Sequence, residues 1–373
     1  MASRSHYQAF IIATLGLAAA ALACVAAFNV YVDPFQQYHL ATSDMARYPR
    51  ALQRYINPGL AKHADYDFVI TGSSLMENYS LQEVNRLCQA KSINLSFSAM
   101  AAYEQRKILE VALRHRSPKR VMMTLDFNSF APDIDQSLPE IGEPLPLYLY
   151  DDNPFNDFHY LLSGDVSKRS LGILLGARWS AAPTDYDRAW SWDTERPFSR
   201  QHALAGIDPA QINRRFKQGP RTTQHMRASF EANIANLIES HPATEFNLIF
   251  PPYSILVWAD FVQRDQLELS LDFKKYVLQR LQGMPNVRLF DMQWDESITH
   301  QLDLYSDIYH FNPAINRKML ESVCGSDTQY RMIAATSDEF IARLRRQSLK
   351  INPAKFMQEA LATQAGPGQL PGR

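Results

Sequence analysis

From Ala9 to Phe28 the chain carries no charged residue and is built mainly of Ala, Leu, Ile and Val. Roughly 20 such residues are enough to cross a bilayer core, so this run constrains the molecule more than any other feature. A soluble fold would have to bury a helix that is apolar on every face. Arg4 and the amino terminus precede the run, and Asp33 comes after it. That positive-inside bias predicts an anchor over residues 1–29, with the N-terminus in the cytoplasm. The rest of the chain is then expected on the periplasmic or outer side of the inner membrane. Two alternatives stay open. Ala21-Leu22-Ala23 is a small-residue pattern that a signal peptidase could cut, and Ala21-Leu22-Ala23-Cys24 loosely resembles a lipoprotein processing site. All three readings export the remainder of the chain.

The chain has 373 residues, 46% of them hydrophobic, and a formal net charge of -1. It can bury a large core, and its charge gives no reason to expect a nucleic acid partner. Of the three cysteines, Cys24 sits in the apolar run. Cys88 and Cys324 could pair outside the cytoplasm, but two separate buried thiols are the first expectation. There is no CxxC pair and no tight metal-ligand spacing.

Residues 30–62 look like a connector, with turn signals at Asp33-Pro34 and Asn57-Pro58. Short apolar runs predict strands at 67–71, 93–97, 121–127, 246–250 and 287–290. Between them, helical spacing covers 104–115, 230–238 and 267–281. Ser80-Leu-Gln-Glu83 predicts a capped helix start, and Asn312-Pro313 predicts another. From about 132 to 219 the periodicity fails and Pro, Asp, Tyr and Trp accumulate, as in a long insertion. Residues 326–373 suggest a C-terminal helix and a disordered tail ending Gly366–Arg373. Alternating strands and helices imply an α/β fold with a parallel sheet covered on both faces.

In such folds ligands gather at the carboxyl ends of the strands. Ser74 comes just after the first predicted strand, and Asp307 and His310 come after the last. A serine hydroxyl needs a base, and the base needs a group to orient it. Ser74, His310 and Asp307 could fill those three roles. Each feature alone is usually a helix cap or a chance spacing; their placement along the chain is what raises them. Tyr253 after Pro251-Pro252 could line a substrate cleft or simply pack. Asp291 could support the site or form a turn. The aromatic residues Tyr148, Tyr150, Tyr160, Trp179, Trp190 and Trp192 could stack on sugar rings or pin the insertion to the core. Asp126, Asp291, Asp307 and His310 could be forced into a metal-dependent phosphoesterase, which ranks last.

Val69-Ile-Thr-Gly-Ser-Ser-Leu75 resembles the first block of SGNH (GDSL-like) hydrolases, with Ser73 in place of the aspartate. Asp307-Ile-Tyr-His310 resembles their last block. Gly72–Tyr79, Asn94–Ser98, Tyr148–Asp152 and Tyr305–His310 look like a bacterial subgroup with one N-terminal membrane helix, related to cell-envelope polysaccharide O-acetylation proteins. The resemblance covers about residues 30–325. It implies a three-layer α/β/α, flavodoxin-like SGNH domain over 63–325, with Ser74 as nucleophile and no cofactor or metal. It also implies an acylated carbohydrate or other ester as substrate and a multi-pass acyltransferase as a candidate partner. The oxyanion donors would be Ser74, Ala99 and Asn128. Ala99 stands where the family has glycine, and Asp126 competes with Asn128 for the family's asparagine. A non-catalytic glycan-binding or scaffold subunit is the competing expectation.

Overall fold

The computed structural model describes residues 2–138, 144–176, 182–205, 222–351 and 358. Trp179, the tail Gly366–Arg373, and residues 139–143 and 206–219 of the expected insertion lie outside the described residues. The first elements are α1 (Ala2–Val32), α2 (Gln53–His63), β1 (Phe68–Thr71), α3 (Leu81–Cys88), β2 (Ser92–Asn94), α4 (Ala102–His115) and β3 (Arg120–Thr124). Then come α5 (Phe158–Leu161), α6 (Gly164–Leu174), α7 (Arg200–Ala205) and α8 (Thr223–Phe230), which runs on through a π-helical turn, Glu231–Ala235, into a last helical stretch, Asn236–Ser240. The rest are β4 (Glu245–Phe250), α9 (Ile255–Gln263), α10 (Leu267–Leu281), β5 (Val287–Asp291), α11 (Glu296–Thr299), α12 (Pro313–Cys324) and α13 (Ala334–Lys350). They belong to two compact units, Met1–Ala64 with Pro146–Ala189, and Asp65–Leu145 with Trp190–Arg373.

In the larger unit the five strands form one parallel sheet in the order β2-β1-β3-β4-β5. Val69 pairs with Ile93 on one side and Val121 on the other, and Leu248 pairs with Met123 and Leu289. Nearly every strand residue is buried, which explains the continuous apolar runs of a sheet with no water-facing side. Chain order reverses between β1 and β3, so the carboxyl ends of those two strands flank the sheet's switch point.

Two strands end earlier than the apolar pattern predicts. Asn94 closes β2 by turning its amide onto the Met76 carbonyl and the Ser96 N–H. Asp126 ends the β3 run by capping a 3-10 turn, Phe127–Phe130. Phe127 then packs among Phe250, Trp258, Phe261 and Phe273. Asp291, at the end of β5, is fully buried in an ion pair with Lys274 of α10 at 2.6 Å.

Helices α3 and α12 pack together, and their last residues, Cys88 and Cys324, form a disulfide with a Cα–Cα distance of 5.1 Å. This corrects the expectation of two separate thiols. Helices that start from distant parts of the sequence end side by side, which no local pattern reveals.

In the smaller unit α1 is long and apolar enough to cross a membrane, as an anchor or a signal sequence. Its surface is bare through residues 5–25 and becomes covered near its end. There Asn29 donates to the Leu161 carbonyl and Ser167 Oγ, and Ser170 Oγ donates back to it. Asp33 ends the helix at φ 46°. Its carboxylate gathers the N–H groups of Gln37, Tyr38 and His39 and the Tyr160 hydroxyl.

Residues 30–62 are therefore folded structure and not a connector. Asn57-Pro58 is a corrected turn prediction, because Pro58 lies inside α2. Proline supplies no N–H for the carbonyl four residues back. The Tyr150 hydroxyl donates to that carbonyl, on Arg54, at 2.8 Å.

Candidate active site

The loop from Gly72 to Met76 leaves β1 under steric constraint. Gly72 has φ 143°, and a Cβ there would lie 2.5 Å from Thr124 Oγ1 and 2.7 Å from Met76 Cγ. Only glycine fits that combination of angle and contact. Ser74 opens a 3-10 turn, Ser74–Met76. Neighbouring bonds fix the turn. Asn316 of α12 donates to the Leu75 carbonyl at 2.9 Å, and Trp192 Nε1 donates to the Ser74 carbonyl at 2.9 Å.

His310 reaches the same point from the loop after β5. Ser74 Oγ lies 2.7 Å from His310 Nε2, and His310 Nδ1 lies 2.7 Å from Asp307 Oδ2. With the proton on Nδ1, the ring donates to Asp307 and presents Nε2 as acceptor for the serine proton. Asp307 Oδ1 accepts the N–H groups of Tyr309 and His310, at 2.8 and 2.9 Å. Burial alone would raise the Asp307 carboxyl. The His310 charge and hydrogen bond, with the two N–H donors, outweigh burial and hold it well below the usual carboxylate range. Trp192 meets the His310 ring edge-on at 5.1 Å. Arg196, half exposed, lies 3.6 Å from Asp307 Oδ2 and over the Trp192 ring. Sequence reasoning missed Arg196 because no spacing links it to the loop it reaches.

Beside the nucleophile, Ser73 Oγ donates to Asp126 Oδ2 at 3.0 Å. Asp126 Oδ1 takes the Tyr253 hydroxyl and the Asn128 N–H. This carboxylate is a buried hub that only accepts. Of the two readings open for Tyr253, cleft lining or packing, the structure shows packing. It is fully buried, with its hydroxyl bonded to Asp126 and accepting the Phe127 N–H at 3.2 Å. Burial and the neighbouring Asp126 charge push that hydroxyl well above its ordinary value.

Ala99 has φ 53°, the left-handed region that glycine favours. Among the described residues, neither the Ser74 nor the Ala99 N–H donates to another protein group. Asn128 is half-buried on the 3-10 turn after β3.

Asp126, Asp291, Asp307 and His310 do not meet as one set. Only Asp307 and His310 are joined, Asp126 is held by Ser73 and Tyr253, and Asp291 is held by Lys274. Among the described residues no group of three or more His, Cys, Asp or Glu is arranged to hold a metal. Trp190, Trp192, Tyr150 and Tyr160 are buried. Each spends its polar atom on protein: Asn94 carbonyl, Ser74 carbonyl, Arg54 carbonyl and Asp33 respectively.

No family model matches the chain, and no curated protein matches it. Among solved structures it is similar to one described as a "putative platelet activating factor from Streptococcus pneumonia". The match has 10% identity and a TM-score of 0.40, over 73% of this chain and 89% of that chain.

Proposed function

We propose that this chain is a membrane-anchored, serine-dependent ester hydrolase or O-acyltransferase of the SGNH class, working through an acyl-enzyme on Ser74. The observation that carries this reading is the unbroken chain from Ser74 Oγ to His310 to Asp307, with both links at 2.7 Å. Ser74 Oγ attacks the acyl carbonyl as its proton passes to His310 Nε2. The N–H groups of Ser74 and Ala99, with Asn128, receive the developing oxyanion. His310 then returns the proton to the departing alkoxide. Water, or a sugar hydroxyl activated by the same histidine, resolves the acyl-enzyme. Asp307 stays ionised and orients the ring.

The same reading takes the parallel sheet as the centre of a three-layer α/β/α fold with 132–219 as its insertion. It puts the catalytic unit outside the cytoplasm, which the Cys88–Cys324 disulfide supports because such bonds persist in oxidising compartments. The acylated cell-envelope glycan as substrate, and a multi-pass acyltransferase as partner, rest on the motif resemblance.

A second reading, a non-catalytic glycan-binding or scaffold subunit, is favoured by one observation. If Asp126 occupies the place of the family's asparagine, its accept-only carboxylate cannot donate to an oxyanion. Incubation with p-nitrophenyl acetate separates the two. The enzyme reading expects an acetyl group on Ser74 by mass spectrometry, lost in Ser74→Ala and resolved faster by an acceptor glycan or water. Folded protein that neither acquires the acetyl group nor releases p-nitrophenolate faster than Ser74→Ala supports the scaffold reading.

A further inference from the structure

Large apolar side chains that face outward are concentrated in one short stretch beyond α1. Phe155, Phe158 and Leu162 lie in and around α5; Leu171, Leu174 and Leu175 lie at the end of α6. Phe155 is 88% and Leu175 74% exposed, values that a water-facing surface rarely gives to side chains of this size. On α6 the residues divide by helical spacing. Val166 and Ser170 are buried, and Ser170 is bonded to Asn29 of α1. Leu171, Leu174 and Leu175 form an outward apolar stripe beside that buried face. Asp165 and Arg169 pair with each other on the remaining side. Lys168 is exposed at the edge of the leucine stripe.

The position of this stripe is set by α1. Its bare segment, 5–25, is about as long as the roughly 20 residues that fill a bilayer core. Coverage begins just after it, where Asn29 binds the Leu161 carbonyl, Ser167 and Ser170. Helices α5 and α6 therefore start where the hydrocarbon would end, packed on the emerging helix.

We propose that α5 and α6 form a membrane foot: their outward leucines and phenylalanines sink into the interfacial layer of the bilayer that α1 crosses, and Lys168 faces anionic headgroups. A helix with one apolar and one charged face is the form suited to that layer. The foot is continuous with the membrane span, and so it rests on the anchor reading of α1. Its consequence is orientation: α1 is clamped to a second lipid contact by buried polar bonds and does not act as a free tether.

The test uses the full chain in nanodiscs containing anionic lipid, with Cys24→Ser and one nitroxide label per variant. The labels go at Leu15→Cys, Asp165→Cys, Leu171→Cys, Leu175→Cys and Glu339→Cys. Accessibility to oxygen against a water-soluble nickel reagent is read by electron paramagnetic resonance. The foot predicts an oxygen-to-nickel ratio several-fold higher at 171 and 175 than at 165 and 339. Aqueous ratios at 171 and 175 overturn it and leave the stripe to a protein partner. The Leu15 label shows separately whether α1 lies in lipid, so a failed anchor and a failed foot give different patterns.

Discussion

At the scale of single residues, the proposed activity depends on one short relay and one forced turn. Asp307 is depressed in the folded state, so its stabilising contribution is present above the unfolded value, about pH 3.9. It is lost only as pH falls through the lower folded value. Asp307→Asn is accordingly expected to unfold at lower urea concentration than the wild type at pH 7, with the gap narrowing below about pH 4. The same substitution should lower turnover by roughly 10³–10⁴-fold, because the ring loses the tautomer that presents Nε2 to Ser74. A turnover unchanged by Asp307→Asn would remove the orienting role.

Gly72→Ala tests the turn. A Cβ 2.5 Å from Thr124 Oγ1 at a φ of 143° should cost about 2–5 kcal/mol and loosen Ser74, read as a lower urea midpoint and weaker acylation. That Ser74, Asp307 and His310 meet was legible in the sequence because they follow the first and last strands of one parallel sheet. Tyr253 stayed open between cleft and core because its side-chain direction depends on Asp126, which approaches from the turn after β3. The positive φ of Ala99, 53°, was not legible from its neighbours; only the resemblance, in which glycine stands at that place, pointed to it.

At the scale of elements, hydrophobic period located all five strands and placed α10 at its observed limits. It overran β2 and β3, because Asn94 and Asp126 end those strands with side-chain bonds to the backbone that an apolar count does not register. It also lost α2, whose Pro58 reads as a helix breaker until the Tyr150 hydroxyl is seen bonding the carbonyl that proline leaves open. Charge buried between elements was equally hidden. Lys274 and Asp291 have fully buried side chains. Burial pulls the lysine down from its ordinary value against the upward pull of Asp291. Removing one member leaves the other charge without compensation. Lys274→Met should therefore destabilise the larger unit by about 3–5 kcal/mol in urea unfolding, and pairing it with Asp291→Asn should recover part of that. Additive losses in the double variant would show that the two do not act as a pair.

At the scale of the whole molecule, the apolar N-terminal run and the α/β class with its parallel sheet were readable, whereas the division into two units was not. Residues 146–189 join 1–64, so the expected insertion divides between units. The disulfide was also out of reach of spacing arguments, yet it bears on the site. Ser74 and His310 are separated by 236 residues, and so are Cys88 and Cys324, which close the helices that come after each of them. Cys88→Ser with Cys324→Ser should cost about 2–5 kcal/mol of stability and reduce acylation more than it reduces helix content by circular dichroism. Equal loss of both would make the bond a general brace. The central claim is an activated Ser74, and a fluorophosphonate probe on the full-length protein tests it most directly. The account predicts a single adduct, mapped to Ser74 by mass spectrometry and absent from Ser74→Ala and His310→Ala. An adduct that survives His310→Ala at the wild-type rate, or none on protein shown to be folded, would contradict it.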